Sequence, residues 1–136
     1  MDKLHEPKQK ILVIDDDPDI RDIISTTLEA RGYEVLTAAT GNDGLKVAKS
    51  TVPDLILLDI MLPDMNGYEL CTQLRSLKVT SEISVVMMTA ADQPSDVVRG
   101  FVVGTDEYVT KPFGIEELVA RINAQLRRRK ITRSKV

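Results

Sequence analysis

Leu55, Ile56, Leu57 and Leu58 form an unbroken apolar run that ends on one carboxylate, Asp59. Pro53 opens the stretch, and the turn residues Pro63, Asp64, Asn66 and Gly67 close it. A run this short and this apolar reads as a strand buried on both faces, which commits the chain to covering a sheet from two sides. A charged group where a dry strand meets the surface is costly unless something pairs with it. Taken alone, Asp59 could cap the next helix or stay solvated.

The rest of the chain repeats the pattern. Ile11 to Ile14 is a second apolar strand, and it runs into Asp15, Asp16 and Asp17. Pro18 stands at a natural first helical position with Asp17 as N-cap. Ile20, Ile23, Ile24, Thr27 and Leu28 then recur at helical spacing until Gly32. Tyr33 to Ala38 reads as a strand, and Gly41 to Ser50 as a helix with Leu45 and Ala48 inward. Tyr68 to Leu77 is a helix with Leu70, Cys71, Leu74 and Leu77 on its inner face. Ile83 to Met88 is a strand ending at Thr89. Pro94 opens a helix carrying Val97, Val98, Phe101 and Val102, ended by Gly104. Tyr108 to Thr110 is a strand ending at Lys111-Pro112, and the final helix runs from Gly114 to about Arg129 with Leu118, Val119, Ile122 and Leu126 inward. Five strands alternating with five helices predict an α/β fold: a doubly wound parallel sheet with helices on both faces.

At 136 residues the chain is one domain, and 43% apolar residues suffice for a core without disulfide or metal staples. We read residues 1–9 as a disordered lead-in in which His5 is silent, 10–129 as the domain, and 130–136 as a basic tail or the start of a linker. Cys71 is the single cysteine, so no internal disulfide or zinc site can form, which suits a reducing cytoplasm. No apolar run approaches the roughly 20 residues that span a bilayer, and residues 1–10 lack a signal-peptide core. The net charge of −3 is uneven. The last ten residues hold six Lys or Arg, leaving 12 basic against 21 acidic residues elsewhere, a balance of −9. Only the tail could attract nucleic acid.

In a parallel sheet of this kind, ligands bind at the carboxyl edge, near the topological switch point. The strand ends bring Asp15, Asp16, Asp59, Thr89 and Lys111 to that edge. Three carboxylates held together repel, and some would protonate unless a cation sat among them. Hard oxygen ligands suit Mg²⁺, which also binds phosphate oxygens. Thr89 can donate to a phosphoryl oxygen, and Lys111 can neutralise one. Asp59, on the central strand, is placed as the nucleophile. No GxxxxGK[ST] loop and no GxGxxG follows the first strand, which argues against nucleotide sites. The run Asp15, Asp17, Asp19 lacks the glycine a calcium loop requires, because Ile20 stands there.

Asp15-Asp16-Asp17-Pro18, LLDIMLPDMNG from Leu57 to Gly67, MTA from Met88, and YVTKPF from Tyr108 together resemble the response-regulator receiver domains of two-component signalling, CheY-like in type. The resemblance covers about Lys10 to Arg129. It implies strand order 2-1-3-4-5 and Asp59 as the phosphoacceptor for a histidine kinase's phosphohistidine. It further implies Mg²⁺ held by Asp16, Asp59 and the Met61 backbone carbonyl, with Asp15 assisting. Thr89 and Lys111 would contact the phosphoryl group, Tyr108 would act with Thr89 as a switch, and Lys111-Pro112 would be cis. Phosphorylation would then bias the surface formed by the last two helices and the last strand.

In winged-helix regulators of this superfamily that surface dimerises through ion pairs. Glu107 with Arg121 and Asp106 with Arg128 match two of them, and Glu117 matches half of a third, with Val97 in the place of its basic partner. A phosphorylation-dependent homodimer is therefore expected, with DNA contact only through an effector domain not present in the sequence, and no membrane partner. Arg127 to Arg129 read as helix-end charges that complement the dipole, or as the start of a linker. The competing function is a small Mg²⁺-dependent phosphohydrolase with an aspartyl nucleophile at Asp15. Its motif departs at Asp19, and no cap segment exists.

Overall fold

The computed structural model describes residues 7–90 and 104–134. The helix expected from Pro94, with Val97, Val98, Phe101 and Val102, lies outside them, as do residues 1–6 of the lead-in. Among the described residues the strands are β1 (Lys10–Ile14), β2 (Glu34–Ala38), β3 (Leu55–Asp59), β4 (Ser84–Ala90) and β5 (Glu107–Lys111). The helices are α1 (Pro18–Ala30), α2 (Gly41–Thr51), α3 (Gly67–Ser76) and α4 (Ile115–Ser134). All strand pairs are parallel, in the order β2-β1-β3-β4-β5.

The unbroken apolar strands have a direct physical cause: alternate residues feed two separate cores. Leu12, Ile14, Ile56, Leu58, Val85 and Met87 pack with Ala48, Leu70, Cys71 and Leu74, from α2 and α3. Ile11, Val13, Leu55, Leu57, Val86 and Met88 pack with Ile24, Leu28, Leu118, Val119, Ile122 and Leu126, from α1 and α4. The three central strands β1, β3 and β4 are thus partitions between two dry layers, and a polar side chain can be placed cheaply in them only where the strand ends.

The local signals act as their chemistry dictates. Asp17 caps α1 by accepting the Asp19 amide at 2.9 Å, with Pro18 in the first turn. Cys71 is buried on the inner face of α3. Lys111-Pro112 is cis. Two expectations are corrected. Ile23 has the helical spacing of a core residue but is 58% exposed, because α1 meets the sheet through Ile24 and Leu28. The final helix continues beyond Arg129 to Ser134, since no glycine or proline interrupts that stretch.

Candidate functional site

The site is assembled at the carboxyl edge, where β1 and β3 diverge in chain direction to α1 and α3. Asp15 follows directly on β1, Asp59 ends β3, and Lys111 ends β5. One carboxylate oxygen from each of Asp15, Asp16 and Asp59 lies within 4.8 Å of the others. The Lys111 ammonium donates to Asp15 Oδ2 at 3.1 Å and stands 3.4 Å from Asp59 Oδ1. Asp15 is fully buried, Asp59 nearly so, and Asp16 is exposed.

Burial pushes the Asp59 carboxyl above its usual value, and the Asp15 charge adds to that. Lys111 and the Met61 amide pull it back without cancelling the rise. At Lys111, burial opposes the charge, but the Asp59 and Asp15 carboxylates outweigh it and hold the ammonium above its usual value. Lys111 therefore faces two buried carboxylates with Asp16 close by, more negative charge than it can balance. Three hard oxygen donors around an uncompensated charge are the kind of donor set that Mg²⁺ takes.

Asp15 is the most constrained member. Its Oδ1 accepts the Asp17 amide at 2.9 Å, its Oδ2 accepts Lys111, its own amide donates to Ala38 O at 3.1 Å, and Arg21 donates to its carbonyl at 2.7 Å. Asp59 is freer. Its Oδ1 accepts the Met61 amide at a long 3.4 Å. The turn after it is tight, for a Cβ on Gly67 would come within 2.8 Å of the Asp59 carbonyl oxygen. Glycine is required there so that α3 can start against the strand end.

The expected residues divide into two groups. Asp15, Asp16, Asp59 and Lys111 meet, and Met61 stands beside them with its side chain mostly exposed. Thr89, buried, follows Met88, the register partner of Asp59. Tyr108 in β5 is also buried and is the register partner of Met87. The residues expected at a dimer surface engage partners within the chain. Arg121 stands 3.3 Å from both Glu107 and Glu117. Asp106 pairs with Arg75 at 2.9 Å, and Arg128 lines a cavity of about 490 Å³ next to them. Val97 is outside the described residues. Arg21 and Arg75 carry no sequence signal, each being one polar residue with no motif around it, and Asp64 reads in the sequence only as a turn residue of the LLDIMLPDMNG stretch.

A family model described as the response regulator receiver domain matches residues 11–123. The chain is 48% identical over 119 residues to the DNA-binding dual master transcriptional regulator RpaA of Synechocystis, covering 88% of this chain and 49% of that protein. It is 46% identical over 123 residues to the alkaline phosphatase synthesis transcriptional regulatory protein PhoP of Bacillus subtilis, covering 90% and 50%. The chain thus spans about half the length of these relatives. Among solved structures, a CheY-like response regulator receiver domain protein from Methanospirillum hungatei superposes with a TM-score of 0.87 at 32% identity, covering 93% of this chain and 99% of that one.

Proposed function

The chain belongs to the response regulator receiver domain family, and from that premise we propose that Asp59 accepts a phosphoryl group from the phosphohistidine of a sensor histidine kinase or phosphotransfer protein. The carrying observation is the contrast between two buried carboxylates. Asp15 has both oxygens engaged, whereas Asp59 ends the central strand with one long hydrogen bond and Lys111 at 3.4 Å. The same contrast counts against a phosphohydrolase with Asp15 as nucleophile.

In this reading an Asp59 carboxylate oxygen attacks phosphorus as the P–N bond to the donor imidazole breaks. The imidazole leaves with that electron pair and takes up a proton. Asp15, Asp16, Asp59 and the Met61 carbonyl would hold Mg²⁺, which when bound would supply charge neutralisation for the phosphoryl oxygens. Lys111 meets the new negative charge, and the Thr89 hydroxyl donates to a phosphoryl oxygen. Water later hydrolyses the acyl phosphate and restores the carboxylate, so the chain turns over only its own phosphate.

The output follows from moving Thr89. Its shift toward the phosphoryl group frees space for Tyr108, and that biases the β5–α4 surface carrying Asp106, Glu107, Glu117, Arg121 and Arg128 toward a homodimer. The intrachain pairs of Arg121 with Glu107 and Glu117 would have to be shared or exchanged to form it. Half of each transcriptional relative lies outside the match, so this reading routes DNA contact through an effector segment outside this sequence.

Treatment with acetyl phosphate and Mg²⁺, followed by mass spectrometry, tests the assignment. One labile phosphoryl on Asp59 is expected, absent in Asp59→Asn. Label on another residue, or turnover that survives the substitution, would overturn it. Gel filtration with beryllofluoride tests the dimer, which an unchanged mass would remove.

A further inference from the structure

The loop between β3 and α3 carries Met61 beside Asp59, and its two ends are held by short-range contacts. The Gly67 amide donates to Ile60 O at 2.7 Å, Met61 and Asn66 form an antiparallel bridge, and Asn66 caps α3 by accepting the Glu69 amide at 2.9 Å. The tip of the loop is held differently. Asp64 reaches across to α2, where Oδ1 accepts the Gly41 amide at 2.8 Å and Oδ2 accepts the Asn42 amide at 2.9 Å. Beside it, Met65 fills the space over Gly41, where a Cβ would lie 2.5 Å from Met65 Cγ.

These bonds complete the start of α2 from outside the helix. Thr40 already caps the helix from within, accepting the Asp43 amide at 3.1 Å. Asp64 adds a carboxylate from 22 residues away in sequence to the two amides that Thr40 leaves free. The helix dipole favours an anion there. A carboxylate that bridges successive amides fixes both the height and the direction of the loop that carries it, which one bond could not do. The glycine at position 41 leaves room for the Met65 side chain, whose Cγ, Sδ and Cε would all lie within 3.0 Å of a Cβ there.

We propose that Asp64 is a positioning residue for the Asp59 site: by clamping the loop tip to the start of α2, it sets where the Met61 main chain stands relative to Asp59. The proposal rests on the receiver reading above, in which Met61 supplies a carbonyl to Mg²⁺. Ligand-orienting partners of this kind are worth about tenfold or more in metal affinity.

The test titrates Mg²⁺ into the wild type, Asp64→Ala, Asp64→Asn and Thr40→Ala, following the amide resonances of Asp59, Ile60 and Met61. Hydrogen exchange of the Gly41, Asn42 and Asp43 amides is measured without metal. Asp64→Ala should speed exchange at Gly41 and Asn42 and weaken Mg²⁺ about tenfold, with Asp64→Asn between it and wild type because one acceptor oxygen remains. Thr40→Ala should speed exchange at Asp43 and leave Mg²⁺ affinity unchanged. Wild-type affinity in Asp64→Ala, or an equal loss in Thr40→Ala, overturns the proposal. A wild-type chain that binds no Mg²⁺ overturns the receiver reading instead, and the proposal with it.

Discussion

The two edges of the sheet each hold a half-buried cation among oxygens, and they treat it in opposite ways. At the amino edge, Arg75 reaches from α3 to the starts of β4 and β5. Its five N–H groups meet Gly104 O twice, Ser81 O, Ile83 O and Asp106 Oδ2, at 2.7 to 3.0 Å. Asp106 Oδ2 also accepts the Val85 amide at 2.7 Å. Donors and acceptors match there, and the result is a brace. At the carboxyl edge, Lys111 serves two buried carboxylates with a third close by, and negative charge is left over. The difference locates function: a matched cluster lowers the energy of the fold alone, while an unmatched one holds free energy that a ligand can release.

The largest effect separating the edges is chemical. Arg75→Ala should retain acetyl phosphate labelling, whereas Asp59→Asn should lose it completely. Label retained in the second variant would erase the distinction. Next in size is stability. Removing Arg75 orphans carbonyls and the Asp106 charge, so Arg75→Ala should lose about 3 kcal/mol by urea denaturation. Arg75→Lys should recover little of it, since an ammonium cannot span the same acceptors. A loss within error would show the brace to be ornamental.

Smaller effects sharpen the charge comparison. At a Mg²⁺ concentration ten times the dissociation constant, wild type should gain about 1.4 kcal/mol and Asp59→Asn far less. Equal gains would place the ion elsewhere. Without metal, Asp59→Asn should be more stable than wild type at neutral pH by about 1 kcal/mol, because a buried excess charge is removed. Its pH dependence has a definite sign. Asp59 titrates higher in the folded state than unfolded, so its contribution is favourable below about pH 4 and is lost as pH rises through the folded value. The advantage of Asp59→Asn should therefore vanish toward pH 4 in thermal melts. A constant gap would mean that Asp59 is not strained by burial.

Much of the fold could be read residue by residue. Leu55 to Leu58 demanded two covered faces, Asp17 and Pro18 announced α1, and Asp15, Asp59 and Lys111 stood where strands had to stop. Ile23 shows the limit, since helical spacing names a face but not how far that face turns toward the sheet. The dimer residues show another. Arg121 is in place for Glu107, yet within the chain it also bridges Glu117, and Asp106 is held by Arg75 from a helix the sequence did not connect to it.

By itself, the sequence determined the five strands, most of the inward faces of the described helices and the residues that come to one edge, because hydrophobic period and strand-end polarity act over a few neighbours. Only the tertiary structure decided which oxygen faces which cation. Asp64 meeting Gly41, Arg75 meeting Gly104, and Lys111 standing between Asp15 and Asp59 are contacts across 23, 29 and 96 or fewer residues. Hydrogen bonds and ion pairs at such separations depend on ångström-scale placement by the packed sheet, and no local pattern encodes it.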